Sequence, residues 1–185
     1  IRCTSHIQFS LLNGRSNRLY EGERSFRSMK LYHSSNVIVE SPDTQHSRNY
    51  LDFGRGFYLT SLHEQAVRYA QRFKRRGQQA WLNTYEFSMD DDSQWKILKF
   101  DSYDENWLDF VAQCRDGKDV GDYDMVIGGI ANDRVILTLD RYFANEISQE
   151  EALGLLRFEK PNIQYCIRTE RMLQECLTYI KSEQI

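Results

Sequence analysis

Two short stretches carry the side chains with the most chemical potential. LYHSS, residues 31–35, closes an apolar run on His33, followed by the hydroxyls of Ser34 and Ser35. FGRGFYLTSLHEQAVRYA, residues 53–70, sets Gly54 and Gly56 around Arg55, then Phe57 and Tyr58, then Tyr69 eleven residues after Tyr58. A neutral imidazole both donates and accepts, so a histidine at a strand end can hold a ligand hydroxyl. Tyrosine rings clamp flat heterocycles by stacking. A glycine admits a backbone approach that any Cβ would block. Taken singly, each feature is commonplace: a strand-end histidine usually caps or packs, and a G-x-G before a strand is usually a turn.

The elements that must position these residues follow from periodicity. KLYHSS reads as a strand ending in a polar turn, and VIVESPD as a second short extended piece stopped by Pro42. The loop TQHSRNYLD leads into FGRGFYLT. SLHEQAVRYAQRFKRR has helical spacing, with Leu62, Ala66, Tyr69 and Phe73 on one face, Ser61 as N-cap and Glu64 placed for a capping box. AWLNTYEFSM and KILKF read as strands. DENWLDFVAQCRDG reads as a helix opened by Asp104 and ended at Gly117. DMVIGGI reads as an apolar central strand. VILTLDRYFAN and ISQEEALGLLRF read as helices, the second with Ser148 as N-cap and Glu151 at its third position. IQYCIRT reads as a strand, followed by a C-terminal helix over ERMLQECLTYIKS. The class is α+β, since strands outnumber what βαβ alternation would give.

The two stretches, in this order, resemble the ADP-ribosyltransferase superfamily of the His–Tyr–Glu type, which includes the poly(ADP-ribose) polymerases. There a strand ends in His-Gly-Ser/Thr, and a Phe-Gly-Lys-Gly-Ile-Tyr-Phe segment precedes a helix bearing a second Tyr. FGRGFYL matches the second motif without a gap, Tyr69 falls at the helical Tyr, and the wording is most similar to a small bacterial branch. The resemblance covers nearly everything after residue 28. It implies a single domain with a split mixed β-sheet core, flanking helices and NAD as co-substrate. It also implies site roles. His33 would hold the adenosine-side ribose, and Ser34, with Ser35 beside it, would offer backbone to the nicotinamide amide. Tyr58 and Tyr69 would sandwich the nicotinamide, with Phe57 and Gly56 shaping that wall. Arg48, on the preceding loop, would reach phosphate or adenine. The late-strand Glu of the family has Gln164 in its place. Glutamine can hydrogen-bond the ribose but cannot act as a general base, which disfavours polymer elongation and favours mono-ADP-ribosylation. Glu159 and Glu170 flank that strand as alternatives. Two further departures are Ser34 for the usual Gly and Ala66 for an amide-binding Ser.

Composition sets outer limits. The chain has 185 residues, 41% hydrophobic and 28% charged, with a net charge of −3, which suits one globular domain and does not mark a bulk nucleic-acid binder. FKRRG, with Arg68 and Arg72 before it, makes a local basic patch suited to a nucleic-acid acceptor, to the pyrophosphate of NAD, or simply to a solvated helix end. Cys3, Cys114, Cys166 and Cys176 lack metal-ligand spacing and read as free thiols, and no stretch suits a bilayer span, so the expectation is a cytoplasmic protein. Residues 1–28 are rich in Arg and Ser and lack periodicity. They read as an N-terminal extension, either foreign to a natural start at Met29 or a disordered arm, with the ADP-ribosyltransferase-like domain spanning 29–185. Asp133 and Arg134 would border the acceptor cleft. The expected partners are NAD, a protein or nucleic-acid acceptor and, for a small standalone toxin, an antitoxin protein. The alternatives are an inactive module that grips NAD or ADP-ribose, and an RNA 2′-phosphotransferase-like activity.

Overall fold

The computed structural model describes residues 28–118, 120–130, 133–157, 159 and 162–185. The N-terminal extension, apart from Ser28, lies outside the described residues. Among the described residues seven strands form one sheet: β1 (Met29–Ser35), β2 (Phe57–Thr60), β3 (Trp81–Phe87), β4 (Ile97–Lys99), β5 (Met125–Gly129), β6 (Ile163–Ile167) and β7 (Leu177–Gln184). Their order is β4-β5-β6-β2-β1-β3-β7; β4 and β5 run parallel, and every other neighbour pair is antiparallel. The helices are α1 (His63–Arg75), α2 (Glu105–Arg115), α3 (Asp133–Phe143), α4 (Gln149–Leu156) and α5 (Glu170–Cys176). The chain is therefore α+β, as its pattern implies, and its sheet is mixed.

Alternation along the strands divides the core between two clusters. Leu31, Phe57, Leu59, Tyr85 and Phe87 join Met172, Leu173 and Cys176 of α5 in one. Val126 and Cys166 join Phe53, Trp107, Val111, Leu139 and Leu156 in the other, under α2, α3 and α4. α2 buries an i, i+3, i+4 stripe of Trp107, Leu108, Val111 and Cys114, and Asp104 caps it by accepting the Trp107 N–H at 2.9 Å. Ser148 and Glu151 form the expected capping box on α4. Gly117 ends α2 with φ +73°. Cys114, Cys166 and Cys176 are buried free thiols. Among the described residues no helix is long and apolar enough to cross a membrane.

Four local expectations are corrected. The C-terminal helix stops at Cys176, and Leu177–Gln184 is instead a strand on the open side of β3. The spacing of Met172, Leu173, Cys176, Leu177 and Ile180 is helical, but the β-prone Thr178-Tyr179-Ile180 run finds a partner strand, and tertiary pairing overrides the local pattern. Across this pair Thr84 faces Lys181 and Tyr85 faces Tyr179, so Ile180 bulges from the edge strand. Residues 37–39 form no strand. The Val39 N–H goes to the Asn83 side chain at 2.9 Å and its carbonyl accepts from the Tyr85 hydroxyl at 2.5 Å, so side chains replace a ladder there. α1 begins one residue later than expected, with Leu62 at the N-cap and no side-chain cap. It buries Ala66 and Ala70, leaving Leu62 and Tyr69 47% and 48% exposed. β5 lies second from the sheet edge rather than at its centre.

Candidate functional site

β1 pairs with β3 at seven positions but meets β2 at one, Tyr32 opposite Thr60. His33 follows that pair, and its ring reaches across the junction to place Nδ1 2.8 Å from the Tyr58 carbonyl oxygen. A carbonyl only accepts, so Nδ1 carries the hydrogen and Nε2 of the neutral ring is left as an acceptor. The ring stacks on Phe57 at 4.3 Å between centroids and 29° between planes. Burial pushes the His33 pKa below 6.5, and the bond to Tyr58 opposes this in part, so the imidazole is neutral at pH 7. His33 as a whole is half-buried, so it remains within reach of a ligand while protein hems in its ring.

The backbone of His33 is fixed from the other side by Asn83, which is fully buried on β3. Its Nδ2 donates to the carbonyls of His33 and Val37 at 3.3 and 3.4 Å. Its Oδ1 accepts from the Val39 N–H and from the Ser182 hydroxyl at 2.6 Å. Asn83 thus joins β1, the segment after it and β7. Sequence reading passed it over as one position of an alternating strand. The signal was there in an amide alternating with the aromatics Trp81, Tyr85 and Phe87, a face that buries such a group only when it is fully hydrogen-bonded.

Ser34 donates its hydroxyl to the Ala66 carbonyl at 2.6 Å and so ties α1 to β1. Ser35 accepts from the Val37 N–H at 3.3 Å and shapes the turn that follows. The Tyr58 hydroxyl donates to the Gly54 carbonyl at 2.6 Å and accepts from the Phe53 N–H at 3.1 Å, which leaves only the ring to meet a ligand. Burial pushes its pKa well above 10.0. Register puts Tyr58 opposite Cys166 and Thr60 opposite Gln164, so Tyr58 and Gln164 share one sheet face. Phe57, and His33 stacked on it, belong to the other face. The structure therefore joins His33 to Tyr58 through a backbone carbonyl and not ring to ring. Tyr69 stands on the exposed side of α1 with the Arg72 guanidinium 5.0 Å over its ring.

Gly56 has a reason the sequence did not disclose. A Cβ there would lie 2.6 Å from both Cys166 Sγ and the Ile167 carbonyl oxygen, so the glycine serves the close approach of β6. The loop holding Arg48 is anchored at both ends. The Gly56 N–H donates to Ser47 Oγ, Arg55 donates to the Gln45 carbonyl, and Glu170 accepts from the Thr44 N–H and hydroxyl, both at 2.7 Å. Arg48 itself is exposed. Glu170 is therefore committed to holding this loop. Glu159 lies 3.6 Å from exposed Arg134 and lines a cavity of about 320 Å³ with Tyr103, Asp104 and Leu156, which none of His33, Tyr58 or Tyr69 lines. Gln164 is nine-tenths buried, and its Nε2 has no hydrogen-bond partner among the described residues. An orphaned buried donor costs roughly 1–3 kcal/mol, which a ligand acceptor would offset.

The family model described as "Protein of unknown function (DUF3990)" matches residues 29–179, and the chain belongs to that family. No curated protein and no solved structure matches the chain.

Proposed function

We propose that the chain is an NAD-dependent mono-ADP-ribosyltransferase that transfers ADP-ribose from NAD to a macromolecular acceptor and releases nicotinamide. The observation that carries this reading is the pose of His33: neutral, with Nδ1 tied to Tyr58 and Nε2 left to accept from a ribose hydroxyl. The motif order that resembles the His–Tyr–Glu superfamily and the single pair joining β1 to β2 support it, as a sheet ready to split at that junction. To meet both His33 and the face of Tyr58, NAD would lie across this junction. The orphaned Nε2 of Gln164 fits a ribose oxygen. Tyr69 and Tyr58 would hold nicotinamide between them, Ser34 and Ser35 would line its amide end, and Arg48 would meet the adenosine-phosphate half.

In the reaction the bond between nicotinamide nitrogen and ribose C1′ breaks, and its electron pair leaves with neutral nicotinamide. C1′ acquires oxocarbenium character, an acceptor oxygen or nitrogen bonds to it, and that atom loses its proton to solvent or to a base of the acceptor. His33 and Gln164 orient the two riboses, and polar groups preset around the developing cation lower its energy. Because Gln164 takes no proton, extension of one ADP-ribose by another is not supported. In a cell such a domain would act as a toxin with a neutralising antitoxin protein.

A second reading, an inactive NAD- or ADP-ribose-binding module, draws on Gln164 and on Ala66, which is buried against β1 with no hydroxyl to offer an amide. Chromatographic assay of nicotinamide after incubation with NAD separates the two. The enzyme releases it, His33→Ala abolishes NAD binding, and Gln164→Ala keeps binding while transfer falls by about 10²-fold or more. Saturable binding by calorimetry without any nicotinamide release would establish the module instead.

A further inference from the structure

α1 differs from α2, α3 and α5 in how its cations are used. Arg115 of α2, Arg134 and Arg141 of α3, and Arg171 of α5 each lie within 4 Å of a carboxylate. On α1 and its C-cap, Arg68, Lys74, Arg75 and Arg76 are all exposed, and none has a carboxylate partner among the described residues. At 100° per residue, Arg68, Arg72, Arg75 and Arg76 fall on one side of the helix, opposite the buried Ala66 and Ala70. Favourable interaction with the helix dipole accounts for cations in the last turn, but not for Arg68 two turns earlier. Exposed Tyr69 borders the row, with Arg72 over its ring.

We propose that this row is the acceptor-docking surface and that it takes the phosphate backbone of a single-stranded nucleic acid. The inference rests on the transferase reading and names its acceptor class. A chain of net charge −3 that leaves Arg68, Arg75 and Arg76 of this row exposed, with no carboxylate partner among the described residues, has a surface complementary to a regular polyanion. A lipid surface fits less well, because only Leu62 and Tyr69 flank the row as exposed apolar side chains and the Arg72 guanidinium already lies over the Tyr69 ring. A duplex also fits less well, because the row spans one face of one helix, whereas a flexible strand can follow it. Tyr69, the expected second wall of the nicotinamide clamp, follows Arg68 directly and borders the row, so a strand held there runs past that side chain.

The test is fluorescence anisotropy of the full chain with labelled RNA and DNA strands of about 20 nucleotides, the matching duplex, and anionic phosphatidylserine vesicles as competitor, all without NAD. Binding should weaken with salt along a log–log slope of about −2 to −3, as expected for three or four neutralised phosphates on a single strand. The triple variant Arg68→Glu, Arg75→Glu, Arg76→Glu should lose at least about tenfold in affinity and flatten that slope. Its nicotinamide release without nucleic acid should equal that of the parent, which also reports that it is folded. Unchanged affinity in the variant, tighter binding of the duplex, or full displacement by vesicles overturns the inference. Loss of nicotinamide release in the variant also overturns it, because the cations would then serve NAD. Strand binding by a parent chain that releases no nicotinamide would instead sink the transferase reading and leave the surface standing.

Discussion

His33 is neutral in the folded chain because its surroundings oppose a charge, and this has a thermodynamic sign. Its folded pKa lies below the ordinary 6.5, so between those two values the unfolded chain binds the extra proton. The stability contributed by a neutral His33 is fully present above about pH 6.5 and is lost as pH falls towards the folded pKa. Thermal unfolding across pH 5–7.5 should therefore show the midpoint falling on the acid side. His33→Gln should flatten that slope, and a parallel slope in the variant would assign the acid sensitivity elsewhere. On the proposed transferase function, NAD binding should weaken over the same range, since a protonated Nε2 donates and can no longer accept from a ribose hydroxyl.

At the scale of elements, close approach and capping give sharper expectations than propensity. Gly56→Ala places a methyl 2.6 Å from a backbone carbonyl that the β2–β6 ladder holds in place, so relief requires separating the strands. We expect a loss of several kcal/mol, on the scale of severe overpacking, visible as a large drop in the urea midpoint. Asp104→Ala removes one hydrogen bond to the first turn of α2 and should cost about 1 kcal/mol with an unchanged m-value. Elements with a local cause were legible in the sequence: the Asp104 and Ser148 caps, the Gly117 terminus, and the strands of alternating aromatics. The β7 strand was not, because its cause is the open side of β3, far away in sequence. The burial of α1 was misjudged because Tyr69 and Ala70 are adjacent and only the packing against β1 selects the alanine. At the candidate site, residue order singled out His33, Tyr58 and Gln164, of which the structure joins His33 to Tyr58 and puts Gln164 on the Tyr58 face. The bridge from imidazole to carbonyl, the part played by Asn83 and the β6 contact of Gly56 are relations between strands, which spacing along one chain does not encode.

For the whole molecule, the sheet separates two cores, and α5 with β7 closes one of them. Removal of residues 177–185 would strip β3 of its outer neighbour, expose Tyr85 and Phe87, and release Ser182 from Asn83. Because Asn83 holds the His33 carbonyl, the truncated chain should, on the proposed function, lose NAD binding as well as stability. Full NAD affinity in a soluble truncation would show that Asn83 holds the site without its link to β7. The bulge at Ile180 has a different consequence. Among the described residues β7 is the long outer edge of a seven-stranded sheet, the kind of border on which identical chains can stack strand upon strand without end. One surplus residue and the charges of Lys181 and Glu183 break the regular spacing such stacking needs. Deletion of Ile180 would restore that spacing, and fibril formation followed by thioflavin fluorescence should begin sooner in the deleted chain than in the parent.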